Sequence, residues 1–242
     1  LAKRRLIAQL LMLGLPVKTR QMDPQKGLGF ELLRWQPGED APVTGHKGGV
    51  ITIDIAEADP AFREQIRQQM QEPYRTLLGH FRHESGHYYW DLLIRDTSWL
   101  PVYRSLFGDE RQDYTAALQN HYNAGPPPDW QSHYISSYAA SHPWEDWAET
   151  WAHYLHMTDT LSAADQFGIA ADALSFQTDP FTQQDLAVLP FHTADSELSD
   201  SFLQKVNQWV RLSSVLNVLA RSMGQPDSYP FVLTVDSLRK MY

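Results

Sequence analysis

The chain has 242 residues, 43% of them hydrophobic and 20% charged, which is room for one well-filled core or two tightly packed lobes. Its formal net charge of −9 repels a phosphate backbone and speaks against nucleic acid as a partner. There is no cysteine, so disulfides, thiolate zinc sites and thiol catalysis are excluded and any metal must be held by His, Asp or Glu.

Lys3-Arg4-Arg5 before the apolar run Leu6–Leu13 imitates a signal peptide, but no A-x-A cleavage site follows. Leu6, Leu10 and Leu13 recur at helical spacing, so a core-facing helix over 3–15 is expected, closed by Gly14 and Pro16, in a chain that begins inside a longer protein. Residues 20–48, rich in Gly, Pro and charge, read as loops with short strands. Ile51, Ile53 and Ile55 then alternate with Thr52 and Asp54 in the pattern of a half-buried strand over Val50–Ile55. As an edge strand it could pair with an extended peptide through Val50, Ile51, Thr52 and Ile53; its plainer role is to hold a small sheet together.

Asp59-Pro60 opens a helix with Phe62, Ile66 and Met70 on one face, and Pro73 opens another that should run to about Ile94. Residues 100–135 are mixed and include the turn Gly125-Pro126-Pro127-Pro128. Further helices are expected from Pro143 to Met157 and from Ser199 to Met223, the latter amphipathic and ended by Gly224 and Pro226. No apolar run reaches the about 18 residues a membrane-spanning helix needs, and a cytoplasmic address is the expectation. The pattern predicts a predominantly helical α+β fold in a single domain. An N-terminal lobe of about 1–95 would hold the sheet, and a helical lobe of about 96–242 would follow.

Within the Pro73 helix lies His83-Glu84-Ser85-Gly86-His87, an H-E-x-x-H motif. On a helix, imidazoles at i and i+4 share one face and can grip one Zn²⁺, with Glu84 placed to act on a water beside it. A five-residue motif can arise by chance, but a chance copy has no reason to sit in a helix. A catalytic zinc needs a third protein ligand, and Glu145 and Glu149 share one face of the Pro143 helix. One of them can bind metal while the other accepts a hydrogen bond from a ligand histidine. A solvated acidic face is the ordinary alternative, against which Trp144, Trp147 and Trp151 argue. His80 and His153 are further candidates, each more often structural at such positions.

The stretches Glu72–Asp91 and His142–His156 resemble a family of bacterial zinc-binding metallopeptidases, and the resemblance extends over nearly the whole chain. More broadly the chain resembles the gluzincins, zincins whose third ligand is a glutamate on a second helix. That second helix is also similar to the one in anthrax lethal factor. The resemblance implies one zinc held by His83, His87 and Glu145, with Glu149 supporting His83 and Glu84 as general base. It implies an oxyanion-stabilising role for Tyr138, seven positions before Glu145, and a peptide or protein as substrate. One departure is the gap of 58 positions between His87 and Glu145, longer than in compact gluzincins such as thermolysin, which leaves the choice between Glu145 and Glu149 open. The rival readings are a hydrolase of other amides, a structural zinc domain, against which Glu84 speaks, and a weakly catalytic or non-catalytic zinc protein that binds partners.

Overall fold

The computed structural model describes residues 1–34, 44–176, 178–192 and 196–242. The expected loop region over 20–48 therefore lies partly outside the described residues. Helix α1 (Ala2–Met12) buries Leu6 and Leu10, one turn apart, with Gln9 beside them. It stops short of the expected residue 15: Gly14 takes a positive φ of 69°, and Leu13 is left partly exposed.

Three strands follow, β1 (Gly29–Leu33), β2 (Gly45–Lys47) and β3 (Val50–Asp54), in the spatial order β1-β3-β2. β3 runs parallel to β1 and antiparallel to β2. The alternation read from the sequence holds, with Ile51 and Ile53 buried. The expected edge position does not. Val50, Ile51 and Thr52 pair with β2 on one side, all five residues pair with β1 on the other, and Asp54 N–H donates to Thr44 Oγ1 at 3.3 Å. The edge-strand role expected for Val50, Ile51, Thr52 and Ile53 is thus corrected: β3 is the central strand, and its ladder is occupied. The cause is the two-residue turn Gly48-Gly49, with φ of 56° and 85°, which folds β2 back onto β3. Gly49 is obligatory for a second reason, since a Cβ there would lie 2.7 Å from the carbonyl oxygen of Gly27.

Asp54 ends the strand by accepting a hydrogen bond from Ala56 N–H at 2.9 Å, which turns Ile55–Ala58 into a 3-10 turn. Asp59 caps α2 (Pro60–Gln69) as expected, though no residue of that helix is fully buried. Helix α3 (Leu77–Leu93) starts one turn after Pro73, because the Thr76 hydroxyl accepts from Gly79 N–H at 2.9 Å. It is buried nearly all round from Phe81 to Trp90. Helix α4 (Leu100–Phe107) contributes Tyr103 and Phe107, whose rings stack on each other, and Tyr103 meets Trp90 edge-on.

The remaining helices are α5 (Tyr114–Ala124), α6 (Trp130–His133), α7 (Pro143–Gln166), α8 (Gln183–Leu186), α9 (Glu197–Ser222) and α10 (Val235–Met241). α7 continues nine residues past the expected end at Met157, with no Gly or Pro before Gly168, whose φ of 75° follows its end. α9 is capped by Ser196, which accepts from Ser199 N–H, and buries Phe202, Val206 and Trp209. No helix among the described residues is long and apolar enough to cross a membrane.

The described residues are predominantly helical, with this one small sheet, and divide into two compact units. One comprises Leu1–Gly108 and Trp147–Ala152; the other comprises Asp109–Asp146 and His153–Tyr242. The unbroken helix α7 contributes residues to both.

The second unit contains a buried ion pair. Lys240 Nζ lies 2.6 Å from Asp146 Oδ2, with the two side chains 8% and 0% exposed. Lys240 also donates to the His133 carbonyl at 2.8 Å and stands 4.2 Å above the Tyr134 ring. Removing one member of such a pair strands a charge away from water. Lys240→Met is expected to lower stability by about 3–5 kcal/mol, read from urea denaturation, and Asp146→Asn in the same chain to restore part of that loss.

Candidate metal centre

On α3, Gly86 faces Ala148 of α7. A Cβ on Gly86 would lie 2.9 Å from Ala148 Cα and 3.2 Å from Trp151 Cβ, so any side chain there would collide with helix backbone. Two indoles fasten the contact. Trp147 Nε1–H donates to the Gly86 carbonyl at 2.9 Å, and Trp151 Nε1–H to Ser85 Oγ at 3.1 Å. Ser85 Oγ in turn donates to the Arg82 carbonyl at 2.6 Å, and Trp151 stacks on Tyr89. Ala148 lies on α7 one position before Glu149, so this contact also sets the turn that carries Glu149.

The rings of His83 and His87 lie 4.9 Å apart, one turn from each other on α3. Glu149 Oε1 accepts a hydrogen bond from His83 Nδ1–H at 2.7 Å. With its proton held on Nδ1, His83 keeps the Nε2 lone pair for a metal. His83, His87 and Glu145 each offer a ligand atom, and these atoms all lie within 4.8 Å of one another. They are the one such group of three found among the described residues. Two imidazole nitrogens and a carboxylate oxygen form a donor set suited to zinc, with a fourth position open to water. Glu145 is fully buried, and a carboxylate away from water needs compensation. Part of it comes from Tyr114, whose hydroxyl donates to Glu145 Oε1 at 2.7 Å. Glu84, next to His83 in the same helix, is also buried.

Three further sequence candidates are not among those three side chains. His80 lies outside the group of three; burial, with Arg75 and His83 nearby, holds its pKa at about 3, so it stays neutral. His153 Nδ1 is 2.7 Å from the Tyr229 hydroxyl, inside an aromatic cluster with Phe231. The Tyr138 ring stands edge-on to His121 at 6.1 Å. Tyr114 escaped the sequence reading because 31 residues separate it from Glu145 and no motif marks it.

Behind Glu149 lies a second set of charges. Arg75 pairs with Glu57 and, at 2.9 Å, with Glu72. Burial pushes the Glu72 carboxyl up; Arg75 opposes the shift, while the Glu149 and Glu57 carboxylates add to it. His46, from β2, meets Tyr88 edge-on, and burial with His87 nearby holds its pKa at about 4.

A helix bearing H-E-x-x-H thus packs on a helix bearing two glutamates, and three of their side chains could hold a metal ion. The chain belongs to the family described as "Putative zinc-binding metallo-peptidase", which matches residues 1–242. It is 47% identical over 241 residues to an uncharacterised protein of Mycobacterium bovis and to uncharacterised proteins of two Mycobacterium tuberculosis strains. Each match covers 99% of this chain and 65% of the relative, so the chain spans about two thirds of the length of the curated proteins it matches. No solved structure matches it.

Gly86→Val is expected to cost about 1–3 kcal/mol of stability in thermal or urea unfolding, because α7 backbone occupies the space the side chain needs. Glu149→Ala is expected to weaken zinc about 10–100-fold in a chelator competition, through the lost hold on His83.

Proposed function

We propose that this chain is a zinc-dependent peptidase of gluzincin type, with His83, His87 and Glu145 as metal ligands. The observation that carries the reading is the convergence of those three side chains, with Glu149 fixing the His83 tautomer. Zinc bound there would make a water nucleophilic near neutral pH and polarise the scissile carbonyl.

Within that reading each residue has a separate task. Glu84 accepts a proton from the attacking water on one carboxylate oxygen and then delivers it to the leaving amine nitrogen. It is buried next to His83 in the same helix, which places the carboxylate beside the candidate metal ligand. Tyr138, just before the short turn Ala139–Ser141, is the phenol assigned to the developing oxyanion. Peptides and proteins are the substrate class, through the family to which the chain belongs.

Glu84→Gln separates chemistry from binding, since the amide keeps the shape and loses the basicity. The variant is expected to retain zinc at wild-type stoichiometry and to lose about 10²–10⁴-fold in kcat on a peptide mixture followed by mass spectrometry. Undiminished cleavage by the variant would refute the assignment. A wild-type chain that binds zinc and cleaves no peptide would favour a non-catalytic, partner-binding zinc protein.

A further inference from the structure

We infer that Tyr114 is a positioning residue for the metal centre: it holds one oxygen of Glu145 so that the other alone faces the metal. The inference rests on the metal-site reading above and concerns a residue that no motif marks.

Three observations converge on it. Glu145 is fully buried, so bulk water does not solvate its carboxylate and protein donors must set its orientation. The Tyr114 hydroxyl donates to Oε1 at 2.7 Å, a charge-assisted hydrogen bond of ordinary strong geometry. The Tyr114 ring is also held in place, edge-on to His142 at 5.2 Å and to Trp144 at 5.9 Å.

The local sequence explains how a residue 31 positions away reaches this oxygen. His142 caps α7 through its Nδ1, which accepts from Trp144 N–H at 3.1 Å. The proton is thereby left on Nε2, which donates to the Gln112 carbonyl at 3.3 Å. One imidazole thus ties the approach to α5 to the start of α7. Asp113 then caps α5 by accepting from Ala116 N–H at 3.0 Å, and Tyr114, the first residue of that helix, is set against Glu145.

The chemical consequence follows from the carboxylate's two oxygens. An unrestrained glutamate can close on a metal with both and take the position that water needs. With Oε1 engaged by the phenol, Glu145 offers one oxygen, and a three-ligand site keeps its open position.

The test uses Tyr114→Phe, which keeps the ring and removes the hydroxyl. Zinc affinity is measured by chelator competition, the visible spectrum is recorded with Co²⁺ in place of zinc, and the melting temperature of the metal-free chain is measured alongside. The expected result is a loss of about 10–100-fold in zinc affinity. The Co²⁺ absorption should weaken as the ion gains a fifth ligand, with metal-free melting unchanged. Wild-type affinity together with an unchanged Co²⁺ spectrum overturns the inference, even if turnover falls, because the phenol would then be acting on substrate. Zinc affinity that falls only in step with a lower metal-free melting temperature also overturns it, as a packing effect. A wild-type chain that binds no zinc would remove the metal-site reading itself, and this inference with it. A Tyr114→Phe chain that behaves as wild type would remove this inference alone.

Discussion

Everything at the candidate centre depends on how near two helix backbones can come. Gly86 lies between the motif residues Glu84 and His87, and it faces Ala148, which lies between Glu145 and Glu149. A helix interior ordinarily disfavours glycine by about 1 kcal/mol relative to alanine. Here that loss is offset by a contact in which the two indoles of Trp147 and Trp151 bind the Gly86 carbonyl and Ser85. The candidate ligand residues therefore sit on helices and not on loops, as a site with a tolerance of a few tenths of an ångström would require.

The charges around this contact are arranged in a graded way. Glu149 is held by His83, Glu145 by Tyr114, and Asp146 by Lys240, so three acidic side chains within two turns of α7 have different partners. Glu145 and Asp146 also lie in the first turn of α7, where the positive end of the helix dipole favours carboxylates. This distribution lets one helix carry a dense acidic stretch through the protein interior.

Much of this was legible in the sequence, for definite reasons. The H-E-x-x-H spacing and the i, i+4 glutamates are local patterns, and a helix converts local spacing directly into a shared face. The ends of elements were harder to read. Pro73 looks like a helix start, yet the hydroxyl of Thr76 wins because it satisfies the Gly79 N–H. The central position of β3 was not read, although Gly48-Gly49 between two short polar and apolar segments is a hairpin signal. Tyr114 was out of reach, since its meeting with Glu145 depends on the tautomer of His142 and on a carbonyl 30 residues before it. Helix α10 is seven residues long, too short for its periodicity to stand out.

The pairing of Asp146 with Lys240 has a consequence for the order in which the protein matures. Chains are synthesised from the N-terminus, so the motif helix leaves the ribosome well before α10 does. Until Lys240 has been made, Asp146 lacks that counter-charge, and the turn it shares with Glu145 lacks its cross-link to the last described helix. A nascent chain thus carries His83 and His87 early and steadies the turn of Glu145 late. Such a sequence of events would delay completion of the candidate centre until the last described helix has been made.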